Sequence, residues 1–326
     1  MTSRTLANSL LTLSAAAVLA LCSAGGAAAA PAGQDTQPSV TGTTVESTTA
    51  ADYWTPERMK SAVPGDVLAA KAVERSRGAA GGTAAGKAVE KGAETKVKGN
   101  AARGKPALHA SESPVSHIGK VFFTLGGQNY VCSGNSVVST NESTVSTAGH
   151  CLNEGPGAFA TNFVFVPAYL DGAAPYGKWA ARGLYTTTAW SSNGNIQYDT
   201  GFAVVAPLNG QTLSDTVGAS GVQFNAARGL TYKAYGYPAA SPFDGQSLKS
   251  CTGKAINDTI NPGGTTQGIP CDMTGGSSGG PWFIGTNASG YQNSVNSYGY
   301  GTRSTTMYGP YWGTAIQQVY TNAAAS

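Results

Sequence analysis

From Gly119 onward the chain is written in short runs of Val, Phe, Tyr, Ile and Thr cut by Gly, Asn, Pro and Ser, among them GKVFFTL, NSVVS, STVSTA, NFVFVPAYL, GFAVVA and LTYKAYGYP. β-branched and aromatic runs of this length, bounded by turn residues, fold as strands. The spacing predicts an all-β sandwich or barrel. One helix is expected at the end, where Ile316, Val319 and Tyr320 fall at i, i+3 and i+4 within Gly313 to Ala323. Roughly 210 residues of this texture can enclose one large core or two small barrels side by side.

The first third has a different composition. Arg4, the apolar run Leu10 to Leu21 and the alanines Ala27 to Ala30 predict a signal peptide over residues 1–30, its apolar run too short to span a bilayer. Residues 31–114 are mostly Ala, Gly, Thr, Lys and Glu and read as a low-complexity pro-segment, mostly disordered for want of core-forming side chains. One ordered piece is expected at YWTPERM, Tyr53 to Met59, where Thr55 suits an N-cap, Pro56 the first helical position and Glu57 the positive helix end.

Export implies an oxidising compartment and a secreted, extracellular product. Cys22 leaves with the signal peptide, and Cys132, Cys151, Cys251 and Cys271 remain. Three connectivities are possible. Pairing neighbours in sequence gives 132 with 151 and 251 with 271, closing loops of about twenty residues, each worth roughly 3 kcal/mol. No C-x-x-C spacing suggests zinc, so neither a metal nor a cofactor is expected.

After residue 114 there are eight basic and eight acidic residues, so the net charge of +3 lies in the leading third. A neutral domain has no basic patch for nucleic acid or anionic lipid. No membrane association is expected once the signal is removed, and a monomer is the expected state.

GGSSGGPW, Gly275 to Trp282, sets two serines among four glycines. A serine hydroxyl attacks only when a neighbouring base takes its proton. Of the three histidines, His109 and His117 read as surface residues, whereas His150 sits in STAGHCL beside Cys151. Among the acids, Asp199 in QYDTGFAVV directly precedes an apolar strand, where a carboxylate needs a partner. Asp171, Asp244 and Asp258 sit beside turn residues and read as turn formers or solvated groups. No histidine follows Ser278, so the Ser, Asp, His order of a nucleophile elbow is excluded. The Asp, His, Ser order would need an acid before His150, and apart from Glu142 those lie in the leading segment. What remains is His150, Asp199, Ser278.

TAGHC (Thr147 to Cys151), DTGFAVV (Asp199 to Val205) and GSSGGP (Gly276 to Pro281) together resemble the signature blocks of chymotrypsin-like serine endopeptidases, especially the secreted bacterial branch that includes the glutamyl endopeptidases. The resemblance covers roughly residues 115–326. It implies two six-stranded antiparallel barrels, about 115–215 and 216–326, followed by the short C-terminal helix. It implies peptide or protein substrates and a His150, Asp199, Ser278 triad, with Ser278 chosen over Ser277 because Gly-Gly-Pro follows it. The Gly276 and Ser278 amides would form an oxyanion hole, and Ser297, Tyr298 and Gly299 would pair with substrate backbone. Asp272, six residues before Ser278, is a candidate for binding Lys or Arg. The absence of any histidine after residue 150 speaks against strict glutamate preference. Ser277 stands where animal members carry the aspartate that receives a new N-terminus, so no N-terminal salt bridge is expected to switch the enzyme on. An esterase with the same triad and a catalytically inactive binding module are the alternatives.

Overall fold

The computed structural model describes residues 39–76, 86–93, 108–261, 264–301 and 303–326. The expected signal peptide and much of the low-complexity tract lie outside the described residues. The leading segment contributes β1 (Val40–Thr44), α1 (Ala50–Tyr53), α2 (Pro56–Ser61), β2 (Val63–Pro64), α3 (Asp66–Ser76) and the short strands β3 (Val89–Lys91) and β4 (Ala110–Ser111).

The alternation in GKVFFTL decides the first barrel. In β5 (Ile118–Leu125) the odd residues Val121, Phe123 and Leu125 face one core, while Ile118 and Phe122 face another. Gly126 and Gly127, both at positive φ, turn the chain tightly into β6 (Gln128–Val137). There follow β7 (Thr144–Thr147), β8 (Thr161–Pro167), β9 (Trp179–Thr187), the short helix α4 (Thr188–Asn193) and β10 (Gly201–Val205). The strands bond antiparallel in the order β8, β5, β6, β7, β10, β9, and β9 returns to β8, closing a six-stranded barrel without free edges.

After helix α5 (Leu213–Val217) come β11 (Val222–Phe224), β12 (Thr231–Gly236), β13 (Lys249–Lys254), β14 (Ile256–Asn257), β15 (Gln267–Pro270), β16 (Pro281–Ile284), β17 (Gln292–Val295), β18 (Thr306–Gly309) and helix α6 (Thr314–Ala324). They form one sheet ordered β3, β11, β17, β16, β12, β13, β4 and a second ordered β14, β15, β18. Tyr232, Ala234, Ile269, Trp282 and Met307, drawn from both sheets, share one core. The Cys251–Cys271 disulfide joins β13 to the end of β15, and Ser294 Oγ donates to Pro310 O at 2.7 Å across the gap between β17 and β18. The expected helix is α6, whose Ile316, Val319, Tyr320 and Ala323 pack with Phe202, Phe224 and Trp312. Among the described residues no helix is long and apolar enough to cross a membrane.

The leading segment is partly helical, as YWTPERM suggests: Thr55 Oγ1 accepts from Arg58 N–H at 3.3 Å and Pro56 opens α2. Its composition does not announce that it docks. β1 adds to the barrel by pairing with β9. Trp54 is fully buried, donates its indole N–H to Asn162 O at 2.6 Å, and packs on Phe122. β5 is therefore covered on both faces, one by its own barrel and the other by Trp54, Met59, Tyr235 and Phe283.

His117 departs from the surface position expected of it. It is 1 % exposed, and its Nδ1 lies 2.8 Å from Asn135 Oδ1. Asn135 Nδ2 in turn donates to Gln292 Oε1 at 2.8 Å and Ser220 Oγ at 3.0 Å, forming a polar seam between the two halves. Burial pushes this imidazole below its usual pKa.

Candidate active site

Strand pairing brings together residues far apart in sequence. β7 and β10 are neighbours, with Thr147 opposite Gly201, so the turn after β7 and the turn before β10 meet at one end of the barrel. His150 lies in the first, a 3-10 turn over Gly149–Cys151, and Asp199 ends the second. His150 Nδ1 is 2.7 Å from Asp199 Oδ2, and His150 N–H donates to Asp199 Oδ1 at 2.7 Å. Ser297 Oγ also donates to Asp199 Oδ2. The carboxylate thus grips the histidine through backbone and ring while a third donor fixes its own angle. Both side chains are fully buried. Gly149 allows the approach: a methyl there would lie 3.0 Å from both Asp199 Oδ1 and the Trp190 ring. The Cys132–Cys151 disulfide anchors the turn from the other side. With Nδ1 engaged, His150 Nε2 is buried and has no hydrogen-bond partner among the described residues, Ser278 included.

The serine turn packs against the same disulfide. Ser278 O accepts from Ser133 N–H at 2.7 Å and lies 4.0 Å from Cys151 Sγ. Ser277 spends its hydroxyl on Thr274 O at 2.7 Å, which leaves Ser278 as the serine of interest. The turn bonds internally through the amides of Ser277 and Gly280, to Thr274 O and Ser277 O, and outward through Gly279 N–H to Asn296 O. Gly276 and Gly279 have φ of 94° and 81°, values that favour glycine. Two residues that sequence reasoning missed hold this turn. Ser133 donates Oγ to Gly276 O at 2.9 Å, and Asn296 Nδ2 donates to Ser277 O at 3.0 Å. A polar residue in or next to a strand gives no sequence signal of which distant loop it clamps.

Ser297 N–H bonds to Tyr308 O at 2.9 Å, and Tyr298 bridges to Tyr308, so this stretch runs beside β18. Asp258 is a turn former, its Oδ1 accepting the amides of Ile260 and Asn261 at 2.9 and 3.1 Å, but it is not solvated: it is 3 % exposed, and its Oδ2 accepts the hydroxyls of Tyr298 and Tyr300 at 2.7 Å each. Burial is the main cause that pushes both tyrosine hydroxyls above their usual pKa. Gly299 leaves little room, since a methyl there would fall 2.7 Å from Ser304 Cβ. Asp272 is about one-third exposed, with His109 Nδ1 2.8 Å from its Oδ1.

A closed antiparallel barrel and a second β half thus carry a carboxylate-bound histidine beside a glycine-rich serine turn. No family model matches the chain. Among solved structures it is similar to the protease Anisep from Arthrobacter nicotinovorans, 75% identical with a TM-score of 0.66, covering 67% of this chain and 100% of that one. It is also similar to the thermostable serine protease AL20 from an extremophilic microorganism, 52% identical with a TM-score of 0.63, covering 65% of this chain and 98% of that one. A glutamyl endopeptidase, 19% identical with a TM-score of 0.53 over 67% of this chain and 97% of that one, shares the fold. The chain belongs to the bacterial serine proteases of chymotrypsin-like fold.

A curated relative, the extracellular metalloprotease of Bacillus subtilis (strain 168), is 27% identical over 184 residues, 54% of this chain and 55% of that one. The chain therefore spans about half the length of that relative. Its name implies a metal. Among the described residues, the group whose ligand atoms converge within 4.8 Å is Cys132, His150 and Cys151. Both sulfurs are joined in a disulfide, so neither can be a thiolate ligand, and one imidazole alone does not make a metal centre.

Proposed function

We propose that this chain is a secreted serine endopeptidase, made with a signal peptide over residues 1–30 and a removable leader over 31–114, with the protease domain over 115–326. Ser278 Oγ attacks the peptide carbonyl and His150 Nε2 takes its proton, later passing it to the leaving amine. Asp199 fixes the ring tautomer and steadies the positive charge that forms. The Gly276 and Ser278 amides stabilise the oxyanion, each such donor being worth on the order of a hundred- to a thousand-fold in rate. The acyl-enzyme on Ser278 is then hydrolysed by water. Ser297, Tyr298 and Gly299 hold the substrate backbone. The observation that carries this reading is the buried His150, gripped at Nδ1 and backbone by Asp199 with Nε2 unbonded beside the serine turn. A Lys or Arg preference through Asp272 would require the His109 imidazole to leave that carboxylate. The test is to incubate the processed protein, with a Ser278→Ala control, on a mixed peptide library and sequence the cuts. Cleavage by the wild type alone supports the reading, and cleavage by both proteins overturns it. Cuts clustered after Lys or Arg assign Asp272 to specificity.

A further inference from the structure

The chain's own leading segment packs against the serine turn and the disulfide beside His150. β2 lies parallel to β6, Val63 opposite Tyr130 and Pro64 opposite Val131, and Gly65 N–H donates to Val131 O at 2.9 Å. The next residue of β6 is Cys132, disulfide-bonded to the neighbour of His150. A methyl on Gly65 would fall 2.7 Å from Cys132 Sγ, so glycine permits this close passage. Asp66 then faces the serine turn: a methyl on Gly275 would lie 2.0 Å from Asp66 Oδ1 and 2.2 Å from its Cγ. The carboxylate therefore rests against Gly275, next to the proposed oxyanion amide of Gly276. Burial pushes the Asp66 carboxyl up, and the opposing charge effect comes from His150. From there α3 continues, packing Ala69, Ala72 and Val73 with Trp190, Ile196, Tyr298 and Tyr308. Arg75 donates to Gly155 O, and Ser76 Oγ accepts Ile196 N–H at 3.1 Å.

We propose that residues 63–76 are an inhibitory latch that fills the catalytic cleft and resists cleavage there. The inference rests on Ser278 being the nucleophile. Two features keep the latch intact. The group presented beside the oxyanion amides is a side-chain carboxyl, which offers Ser278 no peptide bond to cut. The peptide bonds after Asp66 are wound into α3, whereas a protease cleft takes extended backbone. The latch is tethered to the domain it blocks, so its effective concentration is high. A cut in the connecting residues makes it a free ligand that dilution removes.

The test uses the full-length chain and its Asp66→Ala and Ala72→Glu variants, with Lys71→Ala on the exposed side of α3 as control. A fluorophosphonate probe is added, and adduct formation on the uncut chain is followed by gel and mass spectrometry. Circular dichroism checks each fold, and the half-buried Asp66 provides a readable variant if the charge at Ala72 prevents folding. Slow labelling of wild type and Lys71→Ala is expected, with at least ten-fold faster labelling of the two latch variants. Equal rates in wild type and the latch variants would overturn the latch while leaving Ser278 as nucleophile. No labelling of any variant, even after an added protease has removed the leader, would remove the nucleophile and the latch with it.

Discussion

Lys120 carries its charge where water scarcely reaches. It is 2 % exposed, donates to Gly245 O at 2.9 Å, and lies 4.6 Å from the centre of the Tyr169 ring. Burial pushes its pKa down from 10.5 to about 8, with Asp244 opposing the fall. Since the folded value lies below the unfolded one, the unfolded chain binds more protons between these limits, and stability must rise with pH across that window. Below about pH 8 both states are charged, and the cost of burial is felt in full. The distance from 10.5 to about 8 corresponds to about 3 kcal/mol. Tyr232, Tyr235 and Tyr237 act in the opposite sense: burial raises all three from 10.0, so they withdraw stability above about pH 10. The usable rise, between pH 8 and 10, is about 2 kcal/mol. The assay is urea unfolding followed by tryptophan fluorescence at pH 7, 8, 9 and 10, on Ser278→Ala chains with Lys120 or with Lys120→Met. The lysine chain should gain about 2 kcal/mol relative to the methionine chain between pH 8 and 10. Parallel pH curves would refute the reasoning.

Four further outcomes are expected. Replacing Cys132 and Cys151 together by Ala opens a bridge with a sequence separation of 19 and should cost about 3 kcal/mol, lowering the melting temperature by roughly 10 °C in calorimetry. Gly279→Ala places a methyl 2.1 Å from Thr147 Oγ1 and 2.4 Å from Ser133 O and should abolish peptide hydrolysis. Gly127→Ala, with nothing within 4 Å, should keep activity and lose only about 1 kcal/mol in denaturant titration. Ser297→Ala removes the hydroxyl donor from Asp199 and should reduce kcat/KM by about 10- to 100-fold, the equivalent of a bond to a charged group, in steady-state peptide assays.

The strands, the terminal helix and the cysteine pairs were legible because their signals are local. Alternation in β5, the i, i+3, i+4 pattern of α6 and short loops between cysteines need no knowledge of distant neighbours. His150 and Asp199 each stood out in the sequence, and the pairing of β7 with β10 brings these two into hydrogen bond. What escaped depends on who covers whom. α3 presents Ala69 and Ala72, too small to register as an apolar stripe yet suited to lie on aromatic rings. His117 stands just before the first strand of the domain and Asp258 in an Asn-rich turn, but the seam between halves buries the first and two tyrosines bury the second. Ser133 and Asn296 look like ordinary polar residues until the serine turn arrives against them.

The central claim is that Ser278, activated by His150, is the group that attacks. The most direct measurement treats the leader-free protein with a fluorophosphonate, locates the adduct by mass spectrometry, and assays peptide hydrolysis in parallel with and without a metal chelator. The account predicts one adduct, on Ser278, lost in Ser278→Ala together with hydrolysis, and activity that persists in the chelator. Hydrolysis that survives Ser278→Ala and stops in the chelator would contradict it.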